Sequence, residues 1–177
     1  DFEAVARDLI ARGVTSPARL ACIGGSNGGL LVGNMLTREG ARLFRAIVCQ
    51  VPLLDMQRYH KLLAGASWMA EYGDPSNASD WAFLQHYSPY HNIDPTVQYP
   101  PILFGTSSAD DRVHPGHARK MAARLQAESP ASAEHTLLFE ATEGGHASPT
   151  LRQYAFEMAV RYAFFGRFLG LDVQSSP

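Results

Sequence analysis

Apolar positions recur at helical spacing at the start of the chain, where Phe2, Val5, Ala6, Leu9 and Ile10 make one face of an amphipathic helix that Gly13 ends. A turn at Thr15-Ser16-Pro17 follows, and the pattern then becomes strand-like. Arg19 to Ile23, Ala46 to Val51 (closed by Pro52), Pro101 to Gly105 and His135 to Phe139 are short, largely apolar runs bounded by Gly or Pro. Helical patterning separates them: Leu30 to Leu36 after the first run, and about His117 to Gln126 before the last, with Ala118, Met121, Ala122 and Leu125 as its apolar face. An aromatic-rich stretch from Pro149 to Leu169 predicts a closing helix laid against the sheet. Strands alternating with helices mean a mostly parallel α/β sheet. Residues 53–99, rich in Met, Trp, Tyr, Pro and Asn, break this rhythm. An insertion of that length after a strand's C-terminal end is where an open α/β sheet builds a binding crevice.

Composition narrows the function classes. At 177 residues the chain fits one domain with a sizeable core. A net charge of −2 with 18% charged residues speaks against nucleic acid or an anionic membrane as partner. Cys22 and Cys49 both fall inside apolar runs, where a small buried hydrophobe is expected rather than a disulfide or a metal ligand. No apolar run approaches the ~20 residues that span a bilayer, so a soluble protein of the cytoplasm or periplasm is expected. No H-x-x-x-H or C-x-x-C spacing suggests a metal, and no cofactor is expected. The chain opens Asp-Phe-Glu directly in a helical pattern, as a piece of something longer would.

The chemistry is spelled at I-G-G-S-N-G-G-L-L-V-G, residues 23–33. A strand stops at a glycine pair, Ser26 follows, and more glycines open a helix, which is the G-x-S-x-G nucleophile elbow. Strand and helix must pass closely there, so Gly24 and Gly28 are both expected to have no room for a side chain. The turn feeds a helix, which leaves the N–H of Asn27 without an intrahelical partner and aimed where an acyl oxyanion would form. A phosphate-holding loop would want Lys before Ser/Thr, or G-x-G-x-x-G with a later acidic residue, and neither is present.

A serine nucleophile needs a base, and the base needs a carboxylate to hold its tautomer. On this fold the order along the chain is Ser, then Asp/Glu, then His, on loops after later strands. S-A-D-D-R-V-H-P supplies Asp110 and Asp111, between which position alone does not choose. One of the two is expected to brace the loop or cap a helix instead. E-G-G-H-A-S-P-T puts His146 on a glycine turn before the final helix. His60, His86 and His91 precede the acid, His114 and His117 lie too near it, and His135 opens a strand at its wrong end.

Together G-G-S-N-G-G, D-D-R-V-H-P and G-G-H resemble the catalytic domain of the prolyl oligopeptidase family of serine peptidases. The likeness extends to D-F-E-A-V-A-R-D-L-I-A-R-G, W-M-A-E-Y-G and Y-S-P-Y-H-N-I, nearly the whole chain. It implies the C-terminal portion of an α/β-hydrolase fold over residues 1–177, with the first strands of the sheet and the family's β-propeller absent from this chain. It also implies a serine endopeptidase that cleaves short peptides after proline through an acyl-enzyme.

By the same resemblance Ser26 is the nucleophile, His146 the base and Asp110 the acid. Arg112 matches an arginine that binds a substrate carbonyl, and Trp68 the aromatic on which the substrate proline stacks. Tyr72, Leu53 and Val113 fall at positions lining that pocket. A flat indole face suits a rigid pyrrolidine, although a Trp here also fits a core position. The family's second oxyanion donor, a tyrosine, matches no residue here. An esterase or aminopeptidase-like hydrolase with the same triad is the alternative, as is an inactive fragment. With sheet strands missing, an apolar edge and face would be uncovered, and self-association is expected.

Overall fold

The computed structural model describes residues 1–39 and 42–171. Four strands, β1 (Ala21–Gly25), β2 (Ala46–Gln50), β3 (Ile102–Ser107) and β4 (Thr136–Ala141), form one sheet in that order, every neighbouring pair parallel. The register sets Gly25 beside Gln50, Gln50 beside Gly105 and Gly105 beside Phe139. All four strands therefore end along one edge of the sheet, and the segments following them emerge side by side.

Period-two alternation sorts the sheet's side chains to two faces. Ile47, Cys49, Ile102 and Phe104 join Cys22 in a core with Ala6, Val32, Met35, Leu36, Met121 and Leu125. Those residues come from helices α1 (Phe2–Ala11), α2 (Asn27–Arg38) and, further along, Gly116–Glu128. Ala46, Val48 and Leu103 point the other way and pack with Phe164, Val160, Phe165 and Phe168 of the closing helix, Leu151–Leu169. That helix lies against the sheet as its aromatic content predicts, mainly through its C-terminal half, with Phe156 tilted against Phe139 of β4 at 6.1 Å between ring centroids. Tyr154, Phe156 and Tyr162 remain 50–63% exposed.

Two sequence expectations change. Helix α2 begins at Asn27, not near Leu30, because the elbow turns the chain straight into a helix although Asn and two glycines are poor helix formers. The close approach at the elbow also falls on other glycines. A Cβ on Gly24 would lie 2.1 Å from the Gly28 carbonyl oxygen, whereas one on Gly28 would meet nothing within 4 Å. At the elbow Gly29 is the helical glycine without room, its Cβ site lying 2.7 Å from Pro52 Cβ. It is the Gly28 carbonyl, not its α-carbon, that faces the strand.

Residues 53–99 form short helices and turns, with α3 (Met69–Tyr72) and α4 (Ala78–Leu84) the α-helical pieces. They close over their own core of Leu53, Met56, Tyr59 and Leu84, joined by Leu30 and Val113. Helix α5 (Gly116–Glu128) and the single turn α6 (Pro130–Ala133) precede β4, and α7 (Leu151–Leu169) closes the described chain. Buried Asp55 pins the insertion to α5 through an ion pair with Lys120, with Arg58 at 3.2 Å. His117 on α5 accepts the backbone N–H groups of Leu54 and Asp55 at 3.2 and 3.0 Å.

Candidate active site

Ser26 follows β1 and takes φ 58°, ψ −117°, a left-handed conformation that costs a non-glycine residue energy. Its N–H donates to Gln50 O at 2.9 Å, which anchors the turn to the neighbouring strand. Serine at a helix N-cap usually accepts from the next turn's amides. Here Ser26 makes no such bond, and its hydroxyl is left for other work. Among the described residues the Asn27 N–H, in the first turn, has no backbone acceptor and keeps its donor capacity.

Asp110 follows β3 and His146 follows β4, so the common strand ending brings together residues 36 and 120 apart in sequence. His146 Nε2 is 3.1 Å from Ser26 Oγ and Nδ1 is 2.9 Å from Asp110 Oδ2. Asp110 is buried, with Oδ1 accepting the N–H groups of Arg112 and Val113, each at 2.9 Å. Loop bracing and the bond to histidine thus fall on one residue, contrary to the expectation that the adjacent aspartates divide them. Asp111 is exposed. The histidine loop is held by Ser107, whose hydroxyl donates to Gly144 O at 2.5 Å, and by Ser148, which donates to Glu157 on α7 at 2.8 Å. A hydroxyl, an imidazole and a buried carboxylate in line can generate an alkoxide-like nucleophile and store its proton.

The remaining predicted residues gather on one side of this line. Leu53 and Val113 lie in the insertion's core, 3% and 1% exposed, and Trp68 and Tyr72 pack against it half-buried. The first two therefore back the wall, and the two aromatics present it. The Arg112 guanidinium lies 5.6 Å from the centre of the Trp68 ring, a cation–π placement that occupies one indole face. Arg112 O accepts from Ala64 N at 3.3 Å, tying the acid loop to the insertion.

Tyr59 carries no signal in the sequence pattern, and His117 enters it only as a histidine too near the acid to be the base. Tyr59 is fully buried, meets Tyr72 edge to face and donates to Gly73 O at 2.5 Å. Burial lowers His117 to about 4, so the ring is a neutral acceptor at ordinary pH. Burial likewise raises Cys22 to about 12 and pushes Cys49 well up. Both are free thiols, Cys49 lying 3.3 Å from Gly29 O behind the elbow. Among the described residues no group of three or more His, Cys, Asp or Glu is placed to hold a metal ion, and no helix is long and apolar enough to cross a membrane.

Comparison with known proteins places these features in a family context. The model of the prolyl oligopeptidase family matches residues 1–172. An uncharacterized peptidase of Sinorhizobium fredii is 48% identical over 166 residues, covering 93% of this chain and 22% of the relative. A prolyl oligopeptidase of Omphalotus olearius is 38% identical over 179 residues, covering 99% of this chain and 24% of its own. The solved structure of a post-proline cleaving enzyme from Rickettsia typhi superposes with a TM-score of 0.88 at 39% identity, covering 97% of this chain and 24% of that one. The chain spans about a quarter of the length of the proteins it matches.

Proposed function

Because this chain belongs to the prolyl oligopeptidase family, we propose that it carries the triad of a serine endopeptidase that hydrolyses short peptides, cleaving after proline. The observation that carries this reading is the Asp110–His146–Ser26 line, with 2.9 and 3.1 Å between successive polar atoms. Ser26 Oγ attacks the scissile carbonyl while His146 Nε2 takes its proton. Asp110 holds Nδ1–H and stabilises the imidazolium. The oxyanion is received by the Asn27 N–H. Collapse of the tetrahedral intermediate returns the proton to the leaving amine, and water repeats the cycle to release the acyl group.

Specificity for proline rests on the aromatic wall. A pyrrolidine ring is rigid and apolar and loses little entropy on stacking against Trp68 and Tyr72, while Arg112 has donors to spare for a substrate carbonyl. The chain spans about a quarter of the length of its relatives, so the activity is proposed for the full-length polypeptide that contains this sequence.

The deciding experiment compares that full-length protein with its Ser26→Ala variant on chromogenic Gly-Pro and Gly-Arg peptides and on a simple acyl ester. The Gly-Pro peptide should be the preferred substrate, and its turnover should fall on the order of 10⁴-fold or more without the hydroxyl. Unchanged turnover in Ser26→Ala would remove the nucleophile. A preference for the ester would transfer the site to another substrate class.

A further inference from the structure

The Tyr72 hydroxyl donates to Asn27 Oδ1 at 2.8 Å, joining the pocket wall to the residue that follows the nucleophile, whose backbone N–H has no backbone acceptor. Resemblance gives Tyr72 only a wall position, for which a phenylalanine would serve as well. We infer that Tyr72 is a positioning residue: its hydroxyl, acting through the Asn27 side chain, fixes the orientation of the oxyanion-binding N–H. The inference rests on the reading of Ser26 as a nucleophile.

Tyr72 is rigid enough for that task. Its ring stands edge-on to Tyr59, with centroids 5.6 Å apart and planes at 87°. Tyr59 is itself fully buried and holds the carbonyl of the next residue, Gly73, at 2.5 Å. Gly73 turns at φ 101°, and the following Asp74 N–H is fixed by Asp80 at 2.8 Å. Ring and backbone are thus both anchored, leaving the hydroxyl as a fixed point. Burial, then the charges of Glu71 and Tyr87, raise Tyr72 to about 12, which keeps it a donor across the working range.

Asn27, by contrast, needs an outside anchor. It follows a serine at φ 58°, and the first helical bond at this end is Leu30 N–H to Ser26 O, so no intrahelical bond restrains the Asn27 amide itself. An oxyanion donor is effective because it is aimed before the charge develops. A tether from the pocket wall supplies that aim, and it couples a well-seated substrate residue to the stabilisation of the transition state rather than to ground-state binding.

The test uses full-length wild type, Tyr72→Phe, Asn27→Ala and the double variant, with Ser26→Ala as control. Two readouts are taken: kcat and KM on a Gly-Pro peptide, and the rate at which a small alkyl fluorophosphonate phosphonylates Ser26. Phosphonylation forms an Oγ–P bond and expels fluoride, and it places the phosphoryl oxygen at the oxyanion donor without needing proline. Tyr72→Phe should lower both kcat and the phosphonylation rate about tenfold, the worth of one hydrogen bond, with KM changed by less than about twofold. Asn27→Ala should do the same, and the double variant should be no slower than either single one. A wild-type rate in Tyr72→Phe, a change confined to KM, or losses that multiply in the double variant would overturn the tether. If Ser26 is phosphonylated but the Gly-Pro peptide is not cleaved, the substrate reading fails while the phosphonylation rates still decide the tether. Absence of phosphonylation in wild type would overturn both.

Discussion

Asp110 divides its carboxylate between two duties, Oδ2 standing 2.9 Å from His146 Nδ1 while Oδ1 accepts the amides of Arg112 and Val113. The substitutions that separate these duties differ in kind. Asp110→Asn keeps an acceptor for the two amides but mispairs the imidazole, so kcat should drop about 10⁴-fold with little change in melting temperature. Asp110→Ala should lose the activity and, with buried amides left unpaired, about 1–3 kcal/mol of stability as well. Asp111→Ala should leave both measurements near wild type. Kinetics beside thermal melts will show whether the adjacent aspartates are this unequal.

Glycine tolerance at the elbow should be asymmetric. Gly24→Ala drives a methyl to 2.1 Å from the Gly28 carbonyl oxygen and is expected to destabilise by about 3 kcal/mol. Gly28→Ala enters open space within a helix and should be neutral or stabilising by up to about 1 kcal/mol. Denaturant midpoints of the two variants decide it, and equal losses would contradict the placement of the strand-to-helix contact.

His117 makes stability depend on pH. Its value in the fold is about 4 against 6.5 for the free side chain, so the unfolded chain takes up a proton first as pH falls. The contribution is complete above about 6.5, declines between there and about 4, and amounts to roughly 3 kcal/mol at most. His117→Asn retains an acceptor for Leu54 and Asp55 but does not titrate, and its denaturation midpoint should be flatter over that window. Asp55 acts lower down. Burial would raise it, but Lys120 and Arg58 with His91 hold it below 3.8, so its share disappears only in stronger acid.

Trp68→Leu tests the proline wall. It should reduce kcat/KM on the Gly-Pro peptide by about 10–100-fold while sparing a simple ester, since a flat face is lost but the triad is not. Equal losses on both substrates would make Trp68 a packing residue.

The edge of β1 carries Ile23, 49% exposed although it shares the face that α7 covers at Val48. Produced as residues 1–177, the chain should self-associate in sedimentation experiments, and Ile23→Lys should weaken that association. A monomer at high concentration in the unsubstituted chain would count against it.

The glycine-serine run, the order serine, aspartate, histidine and the alternation of apolar strands with helices were all legible along the chain. Each is local, written in spacing and in residues that only a sharp turn or a buried strand would use. Packing decided the rest. Asp110 rather than Asp111 is turned to the imidazole because its other oxygen caps the loop amides, and residue patterns alone do not choose between adjacent aspartates. Gly29 rather than Gly28 meets Pro52 because α2 lies at one particular rotation on β2. His117, set aside for its closeness to the acid, is a buried acceptor because the insertion folds back onto α5 across more than sixty residues. Contacts of that span depend on which side chains the assembled core turns inward, and only the tertiary structure contains that choice.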